Sequence, residues 1–210
     1  MLTQIINGHI LTPQGWMKDG SVLISDGKIL EVTNSDLAVI GATVIDAKGM
    51  YIVPGFVSMH AHGGGGYDFT EGTTEAFQKA TQAHLKHGAT SIFPTLSSTS
   101  FENIKKAVNT CEELMTEKES IIQGLHIEGP YLNKKMAGTQ WEEFIKDPDP
   151  EEYIPLLDST QCIKRWDISP ELPGAHDFAR YTTSKGILTA ITHTEAEYPE
   201  IKAAFEAGFT

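Results

Sequence analysis

Only two of the sixteen cationic residues are arginines, Arg165 and Arg180, in a chain of 210 residues with a formal net charge of -12. A basic surface suited to a phosphate backbone is therefore lacking, and nucleic acid is not an expected partner. Cysteine is also scarce. Cys111 and Cys162 lie far apart, match no paired metal-ligand spacing and are too few to staple a domain of this size, which fits a reducing cytoplasmic setting. No apolar run approaches a bilayer span, and the N-terminus lacks the basic-then-apolar pattern of a secretion signal, so no membrane partner is expected. With 40% hydrophobic residues, the chain can still bury a sizeable core and is expected to be a globular cytoplasmic protein.

Two kinds of patterning are present. Residues 1–53 read as short alternating segments at 4–7, 21–25 and 28–32, with Asp26-Gly27 as a hairpin turn between the last two. From Pro54 onward, apolar strands alternate with amphipathic helices, the pattern of βα units around a parallel sheet. Strands are predicted at 56–60, 89–96, 121–127, 163–169 and 187–193. One helix runs from about Thr74 to a stop at Gly88, with Phe77, Ala80, Thr81, His84 and Leu85 at helical spacing. Another follows a Ser100 cap and turns Ile104, Val108, Cys111 and Met115 inward. Shorter helices are expected near 151–157, 178–183 and 199–207. Five such units do not close a barrel of eight. The expected architecture is α/β: about the first five βα units of a TIM-type (β/α) barrel over 54–210, preceded by a small β region over 1–53. A complete five-stranded doubly wound domain is the alternative.

Four residues of this pattern suit metal chemistry. His60 and His62 stand two apart on one strand and share a face, so both imidazoles can reach a single divalent cation. Glu128 follows the third strand and His193 ends the fifth, and groups at the C-terminal ends of parallel barrel strands converge. Such nitrogen and oxygen donors suit zinc or ferrous iron better than magnesium or calcium. Each also has a plainer alternative: a polar pair on an exposed edge for His60 and His62, a hydrogen-bonded strand-end imidazole for His193, a helix N-terminus for Glu128. His126 shares a strand face with Glu128 and is either a group behind the ligands or a packed core histidine. His84 and His87 read as structural or solvated on an outer helix, and the acidic stretch 142–152 as a solvated loop and helix face. Glycines 63–66 are not followed by Lys-Ser/Thr, so they supply backbone freedom beside the site instead of a phosphate loop.

The segment Pro54-Gly55-Phe56-Val57-Ser58-Met59-His60-Ala61-His62-Gly63 resembles the first-strand signature of the amidohydrolase superfamily. Within it, Gly124-Leu125-His126-Ile127-Glu128-Gly129-Pro130-Tyr131-Leu132-Asn133 is similar to the N-acetylglucosamine-6-phosphate deacetylases. So is Thr192-His193-Thr194-Glu195-Ala196, ahead of a helix ending in Ala207-Gly208-Phe209-Thr210. The resemblance implies that Glu128 and His193 bind the catalytic metal, with zinc expected ahead of iron, and that His60 and His62 are available for a second ion. It implies a substrate-contacting pair at Thr139 and Gln140, where glutamine replaces the histidine of many members; Ser58 replaces the usual strand-one aspartate. A further metal-binding histidine, the catalytic aspartate and most sugar-phosphate contacts are expected beyond Thr210. The 210-residue chain alone is accordingly expected to lack a catalytic acid–base residue, to be inactive and to be sparingly soluble. Residues 1–53 would belong to a β-sandwich completed by C-terminal strands, and the full-length protein would be a homodimer.

The function so implied is metal-dependent hydrolysis of the acetamide of N-acetylglucosamine 6-phosphate to glucosamine 6-phosphate and acetate, in amino-sugar catabolism. Two alternatives remain open at this point: an amidohydrolase of another amide or cyclic amide, and a non-catalytic metal-binding scaffold.

Overall fold

In the computed structural model, which describes residues 1–34 and 38–210, the chain divides into the units Met1–Gly55 and Phe56–Thr210. The first unit is a sheet built from the Asp26-Gly27 turn outward. Both turn residues are left-handed, with φ of 50° and 78°, as a two-residue type I′ hairpin requires. That turn joins β2 (Gly15–Ser25) to β3 (Lys28–Thr33), and β2 also pairs antiparallel with β1 (Leu2–Thr12). The chain returns as β4 (Thr43–Asp46) and β5 (Tyr51–Ile52), both parallel to β1. β1 is longer than its apolar pattern predicts because the left-handed Asn7 and the adjacent Gly8 are absorbed as a register shift and do not end the strand. Ile29, Leu30, Val44 and Ile45 remain exposed.

The second unit opens with β6 (Phe56–Ala61), followed by the two-residue pair β7 (Gly63–Gly64) and β8 (Tyr67–Asp68). Next come α1 (Thr74–Lys86), β9 (Ala89–Leu96), α2 (Phe101–Met115) and β10 (Leu125–Glu128). After them lie α3 (Pro150–Ser159), β11 (Ile163–Asp167), α4 (Ala175–Ser184) and α5 (Tyr198–Ala207). The four longer strands form a parallel sheet in the order β6-β9-β10-β11. Sequence order is spatial order, with no reversal, which rules out the doubly wound alternative and agrees with consecutive barrel strands.

Two of the predicted strands are interrupted, while the fourth ends at Asp167, two residues short of its predicted limit. The third is broken at Gly124 (φ 156°), so Ile122 makes a lone bridge to Ile92 and the ladder resumes only at Leu125. The fifth lies beside β11 as predicted, but as two separate bridges, Arg165 to Leu188 and Ile168 to Ile191.

The helices start where their caps direct. Thr73 accepts from Ala76 N and Ser100 from Asn103 N, each at 3.2 Å. α2 buries Ile104, Ala107, Val108, Cys111 and Leu114, with Met115 only half-buried, and each buried aliphatic side chain contributes about 1.5–3 kcal/mol. α1 buries Ala76, Phe77 and Ala80, whereas Leu85 is 48% exposed because the packed face narrows over the last turn, where His84 Nε2 turns to the Gly63 carbonyl at 3.0 Å. Cys111 and Cys162, distant in sequence, are both free thiols buried in the core, and Cys162 Sγ donates to the Val108 carbonyl at 3.8 Å. Among the described residues, no helix is long and apolar enough to cross a membrane.

Candidate metal centre

Parallel strands send their C-terminal ends to one edge of the sheet, and His60 near the end of β6, His62 just beyond it and Glu128 at the end of β10 lie there. His193 arrives from the segment bridged to β11. The four side chains meet. Glu128 Oε2 lies 3.0 Å from His62 Nε2 and 3.5 Å from His60 Nε2, while Oε1 lies 3.3 Å from His193 Nε2. The Nε2 atoms of His60 and His62 are 3.1 Å apart.

The outer nitrogens set which lone pairs face inward. His193 Nδ1 donates to the Met136 carbonyl at 2.8 Å; a carbonyl only accepts, so Nδ1 bears a proton, and in the neutral ring Nε2 turns its lone pair toward Glu128 Oε1. His62 Nδ1 is held by Ser97 Oγ at 3.0 Å. Acceptors facing acceptors at these distances need a proton or a cation between them, and the two-element donor set, with the outer nitrogens of His62 and His193 already held, fits a zinc-type cation.

The electrostatics agree. Burial by itself would raise the Glu128 carboxyl, but the hydrogen bond from His62 and the attraction of the carboxylate to His60, His62 and His193 in their protonated forms outweigh it and bring the pKa down to about 2. His62 is raised, chiefly by its bond to Glu128, whereas His60 is lowered, chiefly by burial. Of the two facing nitrogens, His62 is thus the more readily protonated.

The amidohydrolase family profile matches residues 51–207, a span that includes all four candidate ligands. The chain belongs to the amidohydrolase family. It is 32% identical over 212 residues to the N-acetylglucosamine-6-phosphate deacetylase of Haemophilus influenzae, covering 98% of this chain and 54% of that protein. The crystal structure of N-acetylglucosamine-6-phosphate deacetylase from Pasteurella multocida matches with a TM-score of 0.94 at 26% identity, over 100% of this chain and 55% of that one. The D267A mutant of the Mycobacterium smegmatis enzyme, solved with N-acetyl-D-glucosamine-6-phosphate, matches with a TM-score of 0.89 at 27% identity, over 100% and 54%. The chain thus spans about half the length of these relatives.

In this amidohydrolase chain the candidate ligands rest on a layer of further groups, of which the sequence pattern pointed to His126 alone. His126 is fully buried, its Nδ1 3.0 Å from Thr95 Oγ1, and its ring meets that of His60 edge-on at 4.8 Å. Its Nε2 lies 3.1 Å from Asp167 Oδ2, off the line a hydrogen bond requires. It is thus both a packed histidine and a group behind a candidate ligand. Asp167 is clasped by the Arg165 guanidinium, with Nε to Oδ1 at 2.6 Å. Burial would raise its carboxyl, but His126 and Arg165 together hold it below the usual range. Because the guanidinium already neutralises Asp167, His60, His126 and Asp167 support the site more readily than they form a second cation set.

His193 has a left-handed φ of 44°, which persists because its surroundings fix it. Ser169 Oγ accepts from Asn133 N at 2.7 Å and donates to the His193 carbonyl at 2.8 Å, while Glu171 receives Thr194 Oγ1 and Asn133 Nδ2. Trp166 Nε1 donates to the Gly129 carbonyl at 2.8 Å and steadies the backbone just past Glu128. A signal for these residues existed: Arg165, Asp167, Ser169 and Glu171 recur with period two along β11 and its extension, a polar row on one side of an otherwise apolar strand.

The remaining predicted positions divide. Thr139 is exposed, whereas Gln140 is buried with its amide between Glu128 and Ser98. Ser58 is half-buried on β6. Gly65 and Gly66, at φ of 63° and 89°, form the turn of the β7–β8 pair, and a Cβ on Gly63 would lie 2.1 Å from the Tyr67 carbonyl, so the glycines provide backbone freedom beside His62.

Proposed function

We propose that this amidohydrolase hydrolyses the acetamide of N-acetylglucosamine 6-phosphate to glucosamine 6-phosphate and acetate. One observation carries the reading: His60, His62, Glu128 and His193 converge from separate strand ends in a chain whose relatives bear that activity in their names. Those four residues are the proposed metal ligands, and Zn2+ is the proposed ion, with Fe2+ second by donor chemistry. A divalent cation held there supplies Lewis acidity toward an amide carbonyl and lowers the pKa of a water. Glu128, ionised into strong acid, offers one oxygen toward His193 and the other toward His60 and His62, so the same carboxylate can serve one ion or two. Met136 and Ser97 hold the outer nitrogens of His193 and His62, which keeps their Nε2 atoms aimed at the site. Exposed Thr139 is available for sugar contact at the rim.

The same reading places the second unit as the first part of a (β/α)8 hydrolase barrel and the first as the N-terminal part of a β-sandwich. The apolar side chains that the first unit leaves exposed support a covering layer. A homodimeric, cytoplasmic full-length protein is part of the proposal. No acid–base group is assigned among residues 1–210.

The test is elemental analysis for zinc, with acetate release from N-acetylglucosamine 6-phosphate by the full-length protein, comparing wild type with Glu128→Ala. Near-stoichiometric zinc and turnover, both lost in a folded variant, are expected; unchanged turnover would remove the mechanism. Turnover only on another amide or cyclic amide would move the substrate, and bound metal with no turnover on any amide would favour the scaffold alternative.

A further inference from the structure

The Gln140 side chain is buried, 8% exposed, and protein groups occupy both ends of its amide. Its Oε1 accepts from Ser98 N at 2.6 Å and its Nε2 donates to Glu128 Oε2 at 3.0 Å. The orientation is dictated, because a backbone N–H can be received only by the amide oxygen, which leaves the NH2 end for Glu128. The donor therefore meets the carboxylate oxygen that faces His60 and His62, while the other oxygen faces His193. Ser97, next to Ser98 in the chain, holds His62 Nδ1 at 3.0 Å. One short backbone segment thus registers His62 directly and Glu128 through Gln140.

Resting on the metal-site reading above, we infer that Gln140 is a positioning residue: its amide sets the rotation of the Glu128 carboxylate against His62 and directs coordination through the oxygen on the His193 side. With its amide engaged at both ends, Gln140 acts on the ligand geometry and leaves sugar contact to other groups. Removing a partner that orients a metal ligand weakens metal binding by roughly 10–100-fold.

The experiment is a cobalt(II) titration of the full-length protein followed by visible d–d absorption and melting temperature, for wild type, Gln140→Leu, Gln140→Glu and Glu128→Ala. Gln140→Leu removes both bonds. Gln140→Glu is isosteric and keeps the acceptor for Ser98 N while placing a carboxylate oxygen against Glu128, so it stands as the test if the leucine variant does not fold. Roughly 10–100-fold weaker cobalt binding in Gln140→Leu and a shifted d–d band in both variants are expected, whatever the melting temperature does. Wild-type affinity and band shape in the Gln140 variants, with cobalt lost in Glu128→Ala, would overturn this inference alone. No cobalt binding by wild type would overturn the metal-site reading and this inference with it.

Discussion

Asp167→Asn tests the support beneath the candidate ligands most directly. The carboxylate is 1% exposed, receives Arg165 Nε at 2.6 Å and a second guanidinium nitrogen, and lies 3.1 Å from His126 Nε2. Asparagine keeps the shape and one acceptor but sets an NH2 group against the second guanidinium nitrogen and removes the charge. Breaking a buried pair by neutralising one partner costs about 3–5 kcal/mol, and the 24% exposure of the Arg165 side chain lets water recover part of that, which leaves about 2–4 kcal/mol. At this size the melting temperature should fall by about 5–15 °C. The sign with pH follows from the lowered Asp167 carboxyl: its stabilisation is fully present above the unfolded value of about 3.9 and is lost as pH falls through the lower folded value. Wild type and variant should therefore differ most near neutral pH and converge in acid. Calorimetric melts at several pH values, with Arg165→Met/Asp167→Leu as an apolar replacement of the whole pair, give the measurement. A neutral-pH variant that melts with wild type would refute the reasoning.

Ser169→Ala removes the hydroxyl that ties Asn133 N to the His193 carbonyl; a loss of about 1–3 kcal/mol is expected, with zinc affinity falling as His193 loosens, and chelator competition showing unchanged affinity would count against it. Gly129→Ala places a Cβ 2.3 Å from Ser98 Oγ at a left-handed φ of 84°, so a denaturant midpoint lowered by about 2–4 kcal/mol is expected, and an unchanged midpoint would show that the backbone there relaxes freely. Because Glu128 raises the His62 imidazolium, protons compete with zinc above the ordinary imidazole value of about 6.5, and affinity should weaken steadily as pH is lowered from about 8 to about 6. A flat affinity over that range, measured by chelator competition, would contradict the assignment of His62.

The elements most legible from sequence are those whose signal is local. The Ser100 cap, the Asp26-Gly27 turn and the strand 89–96 stand where the pattern places them, since a side-chain acceptor, a left-handed turn and a run of β-branched and aromatic residues act over a few residues. His60 and His62 are equally local, two residues apart on one strand. The departures occur where neighbours decide: Gly124 interrupts its strand although the apolar run continues through it, and Leu85 stays exposed although its spacing matches the inward stripe.

The residue types at strand ends, their spacing and the alternation of strand with helix belong to the sequence, because each follows from backbone periodicity and side-chain chemistry. That these ends form one point does not. Glu128 lies 65 residues from His193, and the pair meets only because consecutive parallel strands deliver both to the same edge. The proton on His193 Nδ1, the close approach of His60 to His62, the clasp of Arg165 on Asp167 and the engagement of the Gln140 amide were likewise decided by tertiary structure. Hydrogen-bond direction and desolvation depend on atoms brought close in space, whatever their distance along the chain.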